Sequence, residues 1–218
     1  MKNTFKKNSA LFILVCTSLS LYSQTIQPDL QDTAKWKIVN RTAEFFTEDG
    51  KKAIRFNEVR DNGLMMLMGT DFSNGTIELD IKGSNKFQQS FVGIAFHSQD
   101  TKTYDAIYFR PFNFKSDDAL RRSHAVQYIS MPLYDWEKLR AEFPGKYENS
   151  IKQAPGPDDW FHVKIVANGK KITVFVNNDS QASLEVEKLN SNNKGVIALW
   201  MGNNSAGSFA NLRIAPAR

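Results

Sequence analysis

Trp160-Phe-His-Val-Lys-Ile-Val-Ala-Asn-Gly-Lys-Lys-Ile-Thr-Val-Phe-Val-Asn177 decides the fold. Two apolar-alternating runs flank Asn168-Gly169, the dipeptide that most readily closes a two-residue β-hairpin. Lys194-Gly-Val-Ile-Ala-Leu-Trp-Met-Gly202 and Gly207-Ser-Phe-Ala-Asn-Leu-Arg-Ile214 follow. Each is a short run rich in branched and aromatic residues and bounded by glycine, as antiparallel strands joined by tight turns require.

The same grammar extends towards the N-terminus. Short strands are predicted at Trp36–Val39, Glu44–Thr47, Ala53–Asn57 and Leu64–Met68, and longer ones at Gly75–Lys82, Ser90–Ser98 and Tyr104–Arg110. Asp49-Gly50, Asp61-Asn62-Gly63, Asn74-Gly75 and Gly83-Ser84-Asn85 supply the turns between them. Many short strands at regular spacing predict an all-β sandwich or barrel rather than a parallel α/β fold. The stretch from about 111 to 157 departs from this pattern. It holds a candidate strand at Ala125–Ser130 and then Asp135-Trp-Glu-Lys-Leu-Arg-Ala-Glu-Phe143, a short helix with Asp135 as its cap and Pro144-Gly145 as its stop. An elaborated connection of this kind shapes a site or covers a sheet edge.

Residues 1–23 read as a signal peptide. Lys2, Lys6 and Lys7 form a positive head, Ala10 to Leu21 is apolar but short for a bilayer, and Ser23-Gln24 offers a cleavage point. Export as a soluble secreted or periplasmic protein is the expectation, with lipidation at Cys16 the lesser reading because Ile13-Leu14-Val15 lacks a small residue before the cysteine. No stable membrane insertion is expected. Without the leader's three lysines the net charge of +5 falls to +2, too even for a nucleic-acid partner. The remaining 195 residues hold no cysteine, so the core alone must stabilise them, and this length suits one domain over 24–218. The oligomeric state is left open.

The C-terminal blocks, together with Phe72-Ser-Asn-Gly-Thr-Ile-Glu-Leu-Asp-Ile81 and Gly93-Ile-Ala-Phe-His97, resemble concanavalin A-like (laminin-G-like) jelly rolls, including the 3-keto-disaccharide hydrolase-like domains of secreted bacterial proteins. The resemblance implies a two-sheet antiparallel jelly-roll sandwich, carrying the 111–157 insertion, and a carbohydrate ligand. Its motifs describe the scaffold and bring over no catalytic residue, because a fold does not confer a function.

Alternation sorts the side chains by face. Val92, Ile94, Phe96, Ile107 and Phe109 are taken as core. The opposite face then carries Gly93, Ala95 and His97 beside Tyr104, Ala106, Tyr108 and Arg110. In the following strand His124, Val126, Tyr128 and Ser130 oppose Ala125, Gln127 and Ile129. Aromatic rings can stack on pyranose C–H faces while Arg, His and Gln bond hydroxyl or carboxylate groups. The candidate binding groove is therefore His97, Tyr104, Tyr108 and Arg110, joined by Gln127 and Tyr128, with Trp136 and Arg140 from the insertion as a wall. The leading function is a carbohydrate-binding domain acting on poly- or oligosaccharide. A glycan-active enzyme (a 3-keto-type glycoside hydrolase or a polysaccharide lyase) and an adhesion or scaffold protein with a protein ligand are the alternatives.

A laminarinase-like carboxylate set starts at Glu78 and Asp80, but its third position is Lys82 or Gly83, which leaves the acid/base role empty. A lyase would find its residue types in Arg110, Gln127, His97 or His124, and Tyr104, Tyr108 or Tyr128, without the expected Gln-Ile/Val-His motif. No catalytic residue is named. His97, His124 and His162 lack zinc-ligand spacing, and His162 is expected at the surface. No cofactor is expected beyond a structural calcium, for which Asn203-Asn204 or Asp117-Asp118 could contribute.

Overall fold

The computed structural model describes residues 24–217; the expected signal peptide lies outside the described residues. In chain order the strands are β1 (Trp36–Val39), β2 (Ala43–Glu48), β3 (Lys51–Phe56), β4 (Gly63–Leu67), β5 (Gly75–Lys82), β6 (Val92–Ser98) and β7 (Tyr104–Phe109). The short helix α1 (Ala119–Arg122), β8 (Val126–Met131), α2 (Trp136–Glu142) and β9 (Glu148–Asn149) form the elaborated connection. The chain closes with β10 (Trp160–Asn168), β11 (Lys171–Val176), β12 (Leu184–Glu187), β13 (Val196–Met201) and β14 (Gly207–Pro216). These strands make two seven-stranded antiparallel sheets, ordered β1-β4-β13-β6-β7-β8-β9 and β12-β11-β10-β5-β14-β3-β2. This is the expected jelly-roll sandwich. No helix among the described residues is long and apolar enough to cross a membrane.

The deciding stretch folds as its turn chemistry dictates. Gly169 takes φ +60°, the left-handed conformation that closes the β10–β11 hairpin, and Asn168 pairs with Lys171 across it. Along β10 the fully buried Phe161, Val163 and Ile165 alternate with half-buried His162, Lys164 and Val166. Their inward face meets the other sheet, where Phe109 lies 5.1 Å from Phe161, edge to face. Burial of each such ring contributes roughly 1.5–3 kcal/mol, so the strips of core residues along β5, β10 and β14 bind one sheet to the other.

The helix α2 begins and ends where expected. Asp135 Oδ1 accepts a hydrogen bond from Lys138 N at 2.8 Å, and Gly145 at φ +72° turns the chain beyond Pro144. Leu139 is its buried anchor. The connection also does more than expected, because β8 and β9 extend the first sheet by two strands and α2 packs back over β8.

Two bulges break the period-2 alternation. Between Ala95 and Ser98 two residues of β6 oppose the single Ile197 of β13, and His97 takes φ +52°. In β14 the pairing with β5 shifts between Ala210 and Arg213, and Asn211 takes φ +55°. The second bulge aims Asn211 Nδ2 at Asp80, 2.7 Å away. Each changes which face a side chain reaches.

Candidate functional site

The outer face of the first sheet carries the groove. Trp200 on β13, Gly93 on β6, Tyr108 on β7 and Gln127 on β8 stand in one cross-strand row. Because antiparallel partners share a face, these residues all face away from the second sheet. Gly93 is required here. A Cβ on it would stand 2.1 Å from Ile107 O and 2.6 Å from Tyr108 Cα. Without one, the rings of Tyr108 and Trp200 close over the backbone at 4.9 Å between centroids.

Arg110 leaves the end of β7 and lies almost wholly buried beneath the groove. Its Nη2 donates to Tyr108 Oη at 2.6 Å and to Gln127 Oε1 at 2.9 Å, while Nη1 donates to the His124 carbonyl at 2.9 Å. Glu148 sits next to Gln127 in the register of β9. Arg140, one turn into α2, grips it with two bonds, Nε to Oε1 at 3.0 Å and Nη2 to Oε2 at 2.6 Å. His124 Nδ1 stands 2.8 Å from the same Oε2, off the hydrogen-bonding direction of the ring. Gln127 Nε2 is buried and has no hydrogen-bond partner among the described residues.

Burial sets the electrostatics. It pushes the Tyr108 hydroxyl up and the Arg110 guanidinium down from their ordinary values. Burial also holds the His124 imidazole below its usual value. Arg140 and Arg110 push it the same way, and Glu148 opposes them.

Above this floor the groove has a volume of about 460 Å³. Its rim is aromatic: Phe87 is 57% exposed and Trp136 42% exposed, while Phe91 and Phe112 back them. Arg121 of α1 crosses the rim, 4.5 Å over the Phe87 ring, and donates to the Phe112 carbonyl at 3.1 Å. A second basin of about 250 Å³ adjoins it through Phe91, Trp136 and Asn203 and reaches Tyr108 and Trp200. The arrangement can stack flat rings at its rim and present guanidinium and imidazole groups within.

Of the eight residues expected at the groove, Tyr108, Arg110, Trp136 and Arg140 line these basins. Gln127 lies beneath, bonded to Arg110. Tyr104 stands behind Trp200, whose indole Nε1 donates to its hydroxyl at 3.1 Å; burial raises that hydroxyl's pKa.

His97 and Tyr128 lie elsewhere, between the two sheets. The bulge rotates His97 inward, where Nε2 donates to Ser73 O at 2.7 Å and Nδ1 is 3.3 Å from Asp105 Oδ2. Tyr128 pairs in register with the core residue Ile107, donates to Asp105 Oδ1 at 2.6 Å and accepts from Leu189 N at 3.0 Å. Burial, with Asp105 beside it, pushes its pKa far up.

Sequence reasoning missed Glu148, Arg121, Phe91 and Trp200 as parts of one site. Trp200 had a signal, since it ends a glycine-led strand, but its partner Gly93 depends on register. Glu148 belongs to a two-residue strand without a periodic pattern. His162 is partly exposed and packs on Asp80, 2.9 Å from its Oδ1. No group of three or more metal-ligating side chains that could hold an ion is present among the described residues. Asn203 and Asp118, considered as calcium donors, accept hydrogen bonds from Asp61 N and Leu120 N.

The family model of the 3-keto-alpha-glucoside-1,2-lyase-like domain matches residues 29–215. No curated protein matches the chain in sequence. Among solved structures, the carbohydrate binding module CBM66 from Bacillus subtilis superposes with a TM-score of 0.58 at 14% identity, over 82% of this chain and 93% of that one. The carbohydrate recognition domain of Emp46p, in a metal-free form, gives 0.52 at 13% identity, over 86% and 91%. The exoplasmic/lumenal domain of VIP36, in a Ca2+/Man3GlcNAc-bound form, gives 0.56 at 9% identity, over 89% and 88%. At these identities the likeness is one of fold, a jelly roll shared with carbohydrate-binding proteins.

Proposed function

The chain belongs to the 3-keto-alpha-glucoside-1,2-lyase-like domain family, and from that premise we propose that it is an exported domain that binds an oligosaccharide, or the end of a polysaccharide, in the groove over β6, β7, β8 and β13. The observation that carries this reading is the pairing of an exposed aromatic rim, Trp136 and Phe87, with a polar floor built around Arg110. Aromatic faces accept the C–H face of a sugar ring, and the convergent polar groups fix its orientation. Export rests on the leader read in residues 1–23, with residues 24–218 forming the folded domain. The carbohydrate-binding neighbours agree with the ligand class.

Native affinity electrophoresis of residues 24–218 through gels containing neutral and acidic polysaccharides tests the reading. Retardation that Trp136→Ala abolishes, with the melting temperature preserved, supports it. Retardation that survives Trp136→Ala and Phe87→Ala together places the ligand elsewhere.

His124 favours a second, enzymatic reading. A 3-keto glucoside has an acidic C2 proton next to its carbonyl. A neutral imidazole could take that proton, the charge developing on the C3 oxygen would face Arg110 and Arg140, and the C1–O bond would break as the C1–C2 double bond formed. The departing oxygen then needs a proton, which the imidazolium can return. Release of free aglycone from a 3-keto glucoside, abolished by His124→Ala, tests this reading; turnover retained by that variant rules out His124 as the base.

A further inference from the structure

Resting on the reading of the groove as a saccharide site, we propose that its ligand is acidic, a sugar whose carboxylate docks against Arg110, Arg121 and Arg140. Three guanidinium groups line the larger basin, and beneath it stands one carboxylate, Glu148. Arg140 takes both oxygens of that carboxylate at 3.0 and 2.6 Å, which leaves Arg110 Nη1 4.0 Å away. Arg110 is therefore nearly buried with only neutral acceptors: a phenol, an amide and a carbonyl. Asp135, which caps α2, adds a second carboxylate in the adjoining basin, so three guanidinium groups are set against two carboxylates.

Arg110 and Arg140 share the one buried carboxylate of Glu148, which leaves positive charge only partly compensated, and an anion entering the basin would relieve it. Gln127 supplies an independent observation. Its Nε2 is buried without a hydrogen-bond partner among the described residues, beneath the groove and beside Arg110. Arg121 and Arg140 also lie over the exposed rings of Phe87 and Trp136, at 4.5 and 5.0 Å. Stacking surface and positive charge are thus held side by side, as a sugar ring bearing a carboxylate requires. Guanidinium groups suit a carboxylate through paired, planar hydrogen bonds.

Matched probes test this on residues 24–218: polygalacturonate and alginate, each against its carboxyl-reduced, neutral counterpart, in native affinity gels at low and high salt. Retardation by a polyuronate but not by its reduced form, weakening as salt rises, is the expected result. Arg121→Gln and Arg140→Gln should each weaken it about tenfold. Glu148→Gln, which removes the internal counter-charge and keeps the shape, should strengthen it several-fold. Equal retardation by both members of a pair, or by neutral glycans alone, overturns the acidic ligand and leaves the saccharide reading standing. Retardation by none of the glycans overturns both. Glu148→Gln separates loss of charge from loss of fold, because a merely structural salt bridge would weaken binding in all three variants.

Discussion

Replacing Tyr128 with phenylalanine should destabilise the protein without touching the groove. The hydroxyl is fully buried between the sheets, donates to Asp105 Oδ1 at 2.6 Å and accepts from Leu189 N at 3.0 Å. A buried hydrogen bond to a carboxylate contributes about 1.5–3 kcal/mol, and an amide left without its acceptor costs about 1 kcal/mol more. Asn190 Nδ2, 2.7 Å from the same Oδ1, still satisfies part of Asp105, so the expected loss is about 3 kcal/mol. At roughly 2–4 °C per kcal/mol for a domain of this size, the melting temperature should fall by about 6–12 °C. Urea unfolding followed by circular dichroism gives the free energy, and affinity electrophoresis gives the glycan binding. A loss under about 1 kcal/mol would refute the energetic reasoning. Glycan binding weakened in a variant of unchanged stability would refute the placement of Tyr128 between the sheets.

Arg110→Ala should cost about 3 kcal/mol in urea unfolding, since three buried acceptors lose their donor at once; Arg110→Lys should recover little, because one ammonium cannot reach all three. Gly93→Ala should unfold the protein or lower its melting temperature by more than about 5 °C, because the new Cβ meets backbone rather than a movable side chain. Asp80 governs the acid limb of stability. Burial alone would raise its pKa, but bonds from His162, Lys51 and Asn211 outweigh burial and hold the carboxyl well below the usual range. A depressed carboxyl contributes stability that is present above the unfolded value, about 3.9, and is lost as pH falls towards the folded one. Melting temperatures between pH 5 and 2 should therefore fall steeply in the native protein and less steeply in Asp80→Asn; parallel curves would count against the linkage.

The hairpin at Asn168-Gly169, the helix over Asp135–Phe143 and the face shared by Tyr108 and Arg110 were all legible, because each follows from turn chemistry, capping or strict alternation. His97 was not. Its position follows from one extra residue in β6 opposite Ile197, and a bulge of this kind has no marker in a run of alternating apolar residues. Tyr128 and Gln127 are neighbours in sequence, so only one could reach the groove; choosing between them required the register of β8 against β7. Glu148 illustrates the remaining gap. A two-residue strand has no period, and its importance arises only where α2 brings Arg140 across to it.

The bridge between Ile26 and Ile214 has a spatial consequence. Their backbones exchange two hydrogen bonds, at 2.7 and 2.8 Å, so the first and last described segments run side by side. Gly207, where β14 begins, would carry its Cβ 2.6 Å from Val92, close to the groove, whereas Pro216 pairs with Gly75 at the far end of the sandwich. Ten strand residues separate these ends by roughly 30 Å. The first and last described segments, at Ile26 and Pro216, therefore lie towards the end of the sandwich away from Gly207 and the groove.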